Sequence, residues 1–79
     1  EGILSGKNFV ITGTLKTMAR EKAAEKIEEL GGKFQKTISK TTDFLVIGEK
    51  VGATKISKAE KLGVKVIDED EFLKEINAN

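Results

Sequence analysis

Two short segments of the chain carry side chains and backbone that suit a phosphate group. Thr12, Gly13 and Thr14 combine two hydroxyl donors with a glycine, which lets a ligand approach the backbone without a Cβ in the way. Arg20 and Lys55 supply positive charge. A guanidinium matches phosphate oxygens with two parallel hydrogen bonds, and an ammonium acts as a point charge. These residue types predict an anion site if the fold brings the two segments to one place.

The elements that would position these residues follow from hydrophobic spacing and from the glycines. Short apolar runs predict four strands, at residues 7–12, 33–36, 44–47 and 64–67. Apolar residues at helical spacing predict three helices, at residues 18–30, 54–62 and 68–76. Thr17 is the natural N-cap of the first helix, and Gly31-Gly32 ends it, with one glycine at the left-handed C′ position.

The order β-α-β-β-α-β-α predicts an α/β fold, with a four-stranded, mainly parallel sheet flanked by three helices on both faces. If the first strand is central and the chain winds first one way and then the other, the strand order is 2-1-3-4. Such sheets bind ligands at the switch point, beyond the carboxyl ends of the strands. Residues 12–16 and 48–54 would meet there, and each leads into a helix N-terminus, whose unpaired amides attract an anion.

The positions of Arg20 and Lys55 favour a ligand. Each falls in the first turn of its predicted helix, where a cation opposes the helix dipole at a cost of about 0.3–1 kcal/mol. A bound phosphate would neutralise both charges. Taken singly, Gly13 also suits an ordinary strand-end turn, Thr12 a β-branched strand residue, and either cation a solvated surface side chain. Further basic side chains are expected near the site, each with the solvated lysine as its alternative: Lys16, Lys50 and Lys58.

The acidic run at residues 68–71 is interpreted as a helix start. Asp68 and Glu71 have the spacing of a capping box, in which Asp68 accepts hydrogen bonds from first-turn amides and Glu71 reaches back. Carboxylates at a helix N-terminus are also what the dipole favours. The alternative is magnesium or calcium binding, which would need further oxygen ligands.

The composition argues against catalysis, zinc binding and membrane insertion. The 79 residues include no cysteine and no histidine, which removes the usual zinc ligands and the usual acid–base group near neutral pH. The sequence has no Gly-x-x-x-x-Gly-Lys-Ser/Thr phosphate loop. The predicted strands end in Thr12 and Ile47, where a receiver-like switch would want acidic side chains. The apolar runs are far too short to cross a bilayer, so a soluble domain without a membrane partner is expected.

The charges nearly balance, so any preference for nucleic acid depends on where they lie. There are 14 basic and 13 acidic side chains, which excludes a strong overall attraction to a polyanion. Residues 50–65 nevertheless hold five lysines and one glutamate. Of these lysines, Lys55 belongs to the predicted anion site, and Lys50 and Lys58 are the ones expected near it.

The chain resembles the BRCT family over about residues 4–76. The resemblance implies one domain over residues 1–79, excised from a longer protein. Within the family, the chain is most similar to the C-terminal domain of bacterial NAD-dependent DNA ligases, and next to a domain in the large subunit of replication factor C. The segments that carry the resemblance are residues 9–15, 20, 31–33, 39–46, 55, 58–59, 62–64 and 67–72.

This resemblance implies a non-catalytic accessory domain that binds duplex DNA, especially 5′-phosphorylated ends, in replication and repair. The phosphate contacts of the subgroup map onto Thr12, Gly13, Arg20 and Lys55. Other domains of the parent protein would be partners, in a bacterial cytoplasm at the nucleoid. NAD, zinc and magnesium would belong to the parent ligase, and this domain would need no cofactor. The alternative is a module that binds a phosphopeptide or another protein domain, as tandem BRCT members do through a similar pocket.

One position departs from the family pattern. Many members carry a tryptophan in the last helix, and Phe72 stands there in this chain. Because an aromatic residue is kept, the fold is expected to form with a smaller anchor.

Overall fold

The computed structural model describes residues 4–77, which form four strands and three helices in the predicted order. The strands are β1 (Asn8–Thr12), β2 (Lys33–Phe34), β3 (Phe44–Ile47) and β4 (Lys65–Asp68). The helices are α1 (Arg20–Glu29), α2 (Ala53–Lys61) and α3 (Glu69–Asn77). The predicted domain limits at residues 1 and 79 lie outside the described residues.

The sheet is parallel throughout, with the strand order β2-β1-β3-β4, as predicted. The central strands β1 and β3 pair from Phe9 opposite Phe44 to Thr12 opposite Ile47. Because their last residues are paired, the loops that follow β1 and β3 begin side by side at the carboxyl edge of the sheet.

The helices cover the two faces of the sheet unequally. Side chains alternate between faces along a strand, so β1 and β3 contribute side chains to two separate core clusters. The first cluster joins the sheet to α1 and α3, through Phe9, Ile11, Val46, Ala23, Ile27 and Phe72. The second joins it to α2, through Val10, Leu45, Val64 and Ala59. Helices α1 and α2 therefore lie on opposite faces.

Phe72 takes the central place of the first cluster. It is fully buried, and its ring meets that of Phe9 edge-on, with the ring centroids 6.2 Å apart. Phe9 in turn stacks on Phe44 at 4.9 Å. Such aromatic pairs are each worth about 0.5–1.5 kcal/mol beyond the area they bury. The phenylalanine thus keeps the anchoring role expected at this position.

The predicted helix and strand ends need correction in places. Thr17 was expected to cap α1, but the helix begins later, with Ala19 at the N-cap and no side-chain cap. The prediction for Thr17 is wrong because the Thr17 hydroxyl donates a hydrogen bond to the carboxylate of Glu69 in α3 instead. Strand β2 ends at Phe34, since Gln35 turns into a polar loop and bonds with Thr41 there.

Other ends agree with the sequence analysis or differ by one residue. Gly31 has a φ of 90°, as predicted for the C′ position of α1. Helices α2 and α3 and strand β4 are displaced by one residue from their predicted bounds. Asp68 accepts a hydrogen bond from the Glu71 amide at 2.8 Å, which confirms its capping role. No helix among residues 4–77 is both long and apolar enough for a membrane span.

Candidate phosphate-binding site

The loops after β1 and β3 are bonded to each other through their backbones. The Thr14 amide donates to the Glu49 carbonyl at 2.9 Å, and the Glu49 amide donates to the Thr14 carbonyl at 2.8 Å. The Gly48 amide also donates to the Thr12 carbonyl at 2.8 Å. The two loops that were predicted to converge are thus one connected structure.

Two glycines make this close approach of the loops feasible. Gly13 has a φ of 82°, and a Cβ on it would lie 2.6 Å from the Glu49 carbonyl oxygen. A Cβ on Gly48 would lie 2.5 Å from the Thr14 carbonyl oxygen. Gly13 was singled out from the sequence for access of a ligand, and the structure adds a packing reason. Gly48 was not singled out, although a glycine directly after a buried strand is the signal of a close backbone approach.

A cleft of about 190 Å³ separates the β1–α1 loop from the start of α1. Gly13, Thr14 and Leu15 line one side of it, and Ala19, Arg20 and Glu21 line the other, next to Met18. The Gly13 amide makes no hydrogen bond within residues 4–77. Three of the predicted site residues, Gly13, Thr14 and Arg20, therefore surround a common space.

The N-terminus of α1 offers unpaired amides to this cleft. Its N-cap residue, Ala19, has no polar side chain, and no side chain among residues 4–77 caps the helix. Arg20 is the first helical residue and is exposed. Glu21, also in the first turn, adds a negative charge beside it, so the cleft is amphoteric rather than uniformly basic.

Lys55 reaches the same edge of the sheet from the other face. It lies exposed in the first turn of α2, whose N-cap residue is Gly52 and whose first turn has no acidic residue. As in α1, no side chain among the described residues caps this helix. Lys55 does not line the cleft around Arg20.

Thr12 lies on the α2 side of the edge, because its side chain shares a face of β1 with Val10. It is 8% exposed, and its hydroxyl makes no hydrogen bond within residues 4–77 but is not completely buried. The structure thus groups Gly13, Thr14 and Arg20 on one side and sets Thr12 and Lys55 on the other. That all of them bind one phosphate group stays a prediction.

The three supporting lysines do not gather at Arg20. Lys16 pairs with the Glu49 carboxylate at 3.4 Å and lines a separate cleft, of about 210 Å³, beside Asp68 and Glu69. Lys50 is exposed in the β3–α2 loop with a φ of 61°, and Lys58 is exposed in the last turn of α2. Lys58 lies in α2 with Lys55, and Lys50 lies in the loop that leads into this helix. Lys16 instead lies next to the acidic residues Glu49, Asp68 and Glu69.

Glu69 holds the loop between β1 and α1, a role that the sequence analysis missed. Its carboxylate accepts hydrogen bonds from the amides of Lys16 and Thr17, each at 2.8 Å, and from the Thr17 hydroxyl. These partners are more than 50 residues away in sequence. Partial burial raises the pKa of Glu69, but the bonds from Thr17 and Lys16 outweigh it, so the pKa lies below its ordinary value.

Removing the Glu69 carboxylate is expected to destabilise the domain in a pH-dependent way. Because the pKa of Glu69 is lowered on folding, its contribution is fully present above the unfolded-state pKa and is lost as the pH falls through the folded-state value. Glu69→Ala should lower the free energy of unfolding by about 1–3 kcal/mol at pH 7, and by less at low pH. Urea denaturation at pH 7 and pH 3 measures this difference. Equal losses at both pH values would contradict the ionic role of Glu69.

The chain belongs to the BRCT family. The model of the BRCA1 C Terminus (BRCT) domain matches residues 1–76. A DNA ligase from Aquifex aeolicus (strain VF5) is 56% identical over 71 residues, which cover 90% of this chain and 10% of that protein. A DNA ligase from Sulfurihydrogenibium sp. (strain YO3AOP1) is 56% identical over 75 residues, or 94% of this chain and 10% of that protein. The chain thus spans about a tenth of the length of these curated relatives.

Solved structures of other BRCT domains share the fold. The C-terminal BRCT domain of human XRCC1 matches with a TM-score of 0.74 at 12% identity, over 92% of this chain and 77% of that one. The first BRCT domain of the DNA-repair protein XRCC1 matches with a TM-score of 0.70 at 22% identity, over 91% and 54% of the two chains. At such identities the likeness concerns the fold alone.

Proposed function

We propose that this chain is a non-catalytic accessory domain of a bacterial NAD-dependent DNA ligase and that it binds duplex DNA at 5′-phosphorylated ends. Phosphate oxygens would be held at the carboxyl edge of the sheet by the Gly13 amide, the Thr12 and Thr14 hydroxyls, Arg20 and Lys55. Adenylation and sealing of the nick would take place in other parts of the parent protein. The relatives named DNA ligase favour this parent over replication factor C.

The observation that carries this proposal is the difference between the helix starts. Helix α3 begins with a capping aspartate and three acidic residues in its first turn. Helices α1 and α2 begin at the sheet edge without any side-chain cap among the described residues. Each has a cation in its first turn, next to one acidic residue in α1 and to none in α2. Free amides and cations at a helix N-terminus are the chemistry that binds phosphate. A missing N-cap and a cation in the first turn both lower the stability of a helix, so folding alone does not explain these two helix starts.

The proposed affinity is electrostatic and independent of base sequence. Contacts to phosphates position a protein on DNA without reading its sequence, and they weaken as salt rises because counterions are released. Binding of this kind suits an accessory domain that must hold any nick or end. A phosphopeptide would meet the same groups, and its binding in place of DNA would overturn the choice of ligand.

Lys55→Gln is expected to weaken binding of duplex DNA and to flatten its salt dependence. Loss of one phosphate contact should reduce the slope of log K against log salt by about 1. Fluorescence anisotropy titrations between about 50 and 200 mM salt measure this slope, with 5′-phosphorylated and unphosphorylated duplexes side by side. Lys74→Gln is the matched control, since Lys74 lies in the last turn of α3 and lines none of the clefts described above.

Two results would count against the proposal. Equal affinity for the phosphorylated and unphosphorylated duplexes would remove the 5′-phosphate preference. If a phosphoserine peptide binds more tightly than either duplex under the same conditions, the ligand is a phosphopeptide and not DNA.

A further inference from the structure

A second, larger cleft adjoins the one around Arg20. It encloses about 490 Å³ between α1 and β2, which is an edge strand of the sheet. Arg20 and Glu21 line both clefts, so the two spaces share a wall. The larger cleft, here called the α1–β2 groove, is also lined by Ile11, Ala24, Phe34 and Lys36.

The α1–β2 groove has an apolar floor and cationic ends. Phe34 is partly buried and packs against the core on the α1 face, and no strand of the described sheet lies beyond β2 to cover it. Ile11 and Ala24 complete the floor, while Arg20 and Lys36 are exposed at its margins. Glu21 offsets one of these charges, which leaves an excess of one cation among the lining residues.

A nucleotide matches this combination better than a purely apolar or purely ionic ligand. The volume lies within the roughly 300–1,000 Å³ typical of small-molecule sites. An aromatic side chain in a cationic groove is the arrangement on which proteins stack single-stranded bases. The positive excess suits the phosphate that follows the base.

We propose that the α1–β2 groove accepts the base of one unpaired nucleotide at a 5′-phosphorylated DNA end, stacked on Phe34. The inference rests on the proposed function, because the 5′ phosphate of that nucleotide would lie at the carboxyl edge of the sheet beside Arg20, which also lines the groove. Lys36 would then meet the next phosphate of the same strand. The domain would accordingly prefer an end with one unpaired 5′ nucleotide to a blunt end.

The test compares three duplexes that differ only at the labelled end. All carry a 5′ phosphate, and each is also prepared without it; the first is blunt, the second has one unpaired 5′ nucleotide, and the third has an abasic residue in its place. The second should bind about fivefold or more tightly than the third, since base stacking on an aromatic residue is worth at least that much. Equal affinity for the second and third would overturn the inference.

Phe34→Leu keeps an apolar side chain on the floor and removes the aromatic face. It should abolish the difference between the second and third duplexes while leaving the blunt duplex bound within about twofold. Lys36→Gln should weaken all three modestly, and Lys33→Gln serves as its matched control because Lys33 is exposed on β2 but does not line the groove. Circular dichroism of each variant checks the fold. An equal loss on all three duplexes with Phe34→Leu would refute base stacking.

The outcomes separate this inference from the proposed function. A blunt duplex that binds more tightly with a 5′ phosphate, but shows no gain from an unpaired base, supports the phosphate site and refutes the groove. A base-dependent gain without phosphate dependence supports the groove and refutes the phosphate site. Concentration-dependent dimerisation that Phe34→Leu abolishes would assign the groove to a second copy of the chain and overturn the inference.

Discussion

Replacing Arg20 with glutamine is expected to lower the affinity for a 5′-phosphorylated duplex by about tenfold or more. A hydrogen bond between charged groups is worth about 1.5–3 kcal/mol, and about 1.4 kcal/mol corresponds to a factor of ten. Arg20 stands at the first position of α1 and lines the same cleft as Gly13, whose amide makes no hydrogen bond within residues 4–77. Fluorescence anisotropy at low salt measures the loss.

The same substitution should leave the fold slightly more stable. A cation in the first turn of a helix opposes the dipole, so its removal should raise the free energy of unfolding by about 0.3–1 kcal/mol. Weaker binding together with higher stability is a signature that a merely structural residue does not produce. Lys22→Gln is the control for charge alone, since Lys22 lies exposed in the same helix and does not line the cleft. Equal losses of affinity from both variants would refute a specific role for Arg20.

Gly48→Ala is expected to destabilise the domain by about 1–3 kcal/mol, the range seen when a side chain is forced into packed structure. The new Cβ would lie 2.5 Å from the Thr14 carbonyl oxygen and 2.6 Å from its carbon. Both are backbone atoms, so the loops must separate and strain the bonded pair of Thr14 and Glu49. A domain of this length has only about 4–12 kcal/mol of stability, which makes the loss large. Urea denaturation at neutral pH measures it.

Gly52→Ser is the matched substitution for Gly48→Ala. A Cβ on Gly52 meets no atom within 4 Å, and the serine hydroxyl can cap α2. Its effect on the free energy of unfolding should therefore be neutral or stabilising, by roughly a few tenths of a kcal/mol. A Gly48→Ala variant as stable as this control would contradict the close approach of the two loops.

The elements and their order could be predicted because their signals are local. The buried run Phe44–Ile47 has the continuous apolar character of a central parallel strand, and it forms β3 with these bounds. Gly31 ends α1 in the left-handed conformation that its residue type favours. Once the strand order is predicted, the parallel topology requires the loops after β1 and β3 to meet at the carboxyl edge of the sheet.

The errors arise where a distant residue competes for a local partner. Thr17 has the side chain of an N-cap, but the Glu69 carboxylate takes both its hydroxyl and its amide. No local pattern in a single sequence predicts a contact between residues 52 positions apart, such as that between Thr17 and Glu69. The start of α1 consequently moves to Arg20, and the loop before it is held from α3.

The opposite placement of Arg20 and Lys55 follows from handedness. Right-handed crossovers from β1 to β2 and from β3 to β4 run in opposite directions along the sheet, so their helices must cover opposite faces. A single phosphate between the two cations would therefore have to sit at the rim of the sheet, above Thr12 and Gly13.

The central claim, that a 5′ phosphate binds at this rim, is tested most directly by chemical-shift mapping. Amide spectra of the isotopically labelled chain would be compared between two duplexes that differ only in the 5′ phosphate. The largest differences are expected at the amides of Gly13, Thr14, Arg20 and Lys55, because these residues line the carboxyl edge of the sheet, where the Gly13 amide has no hydrogen-bond partner within residues 4–77 and where the two cations lie. Differences confined to α3, or none at all, would contradict the claim.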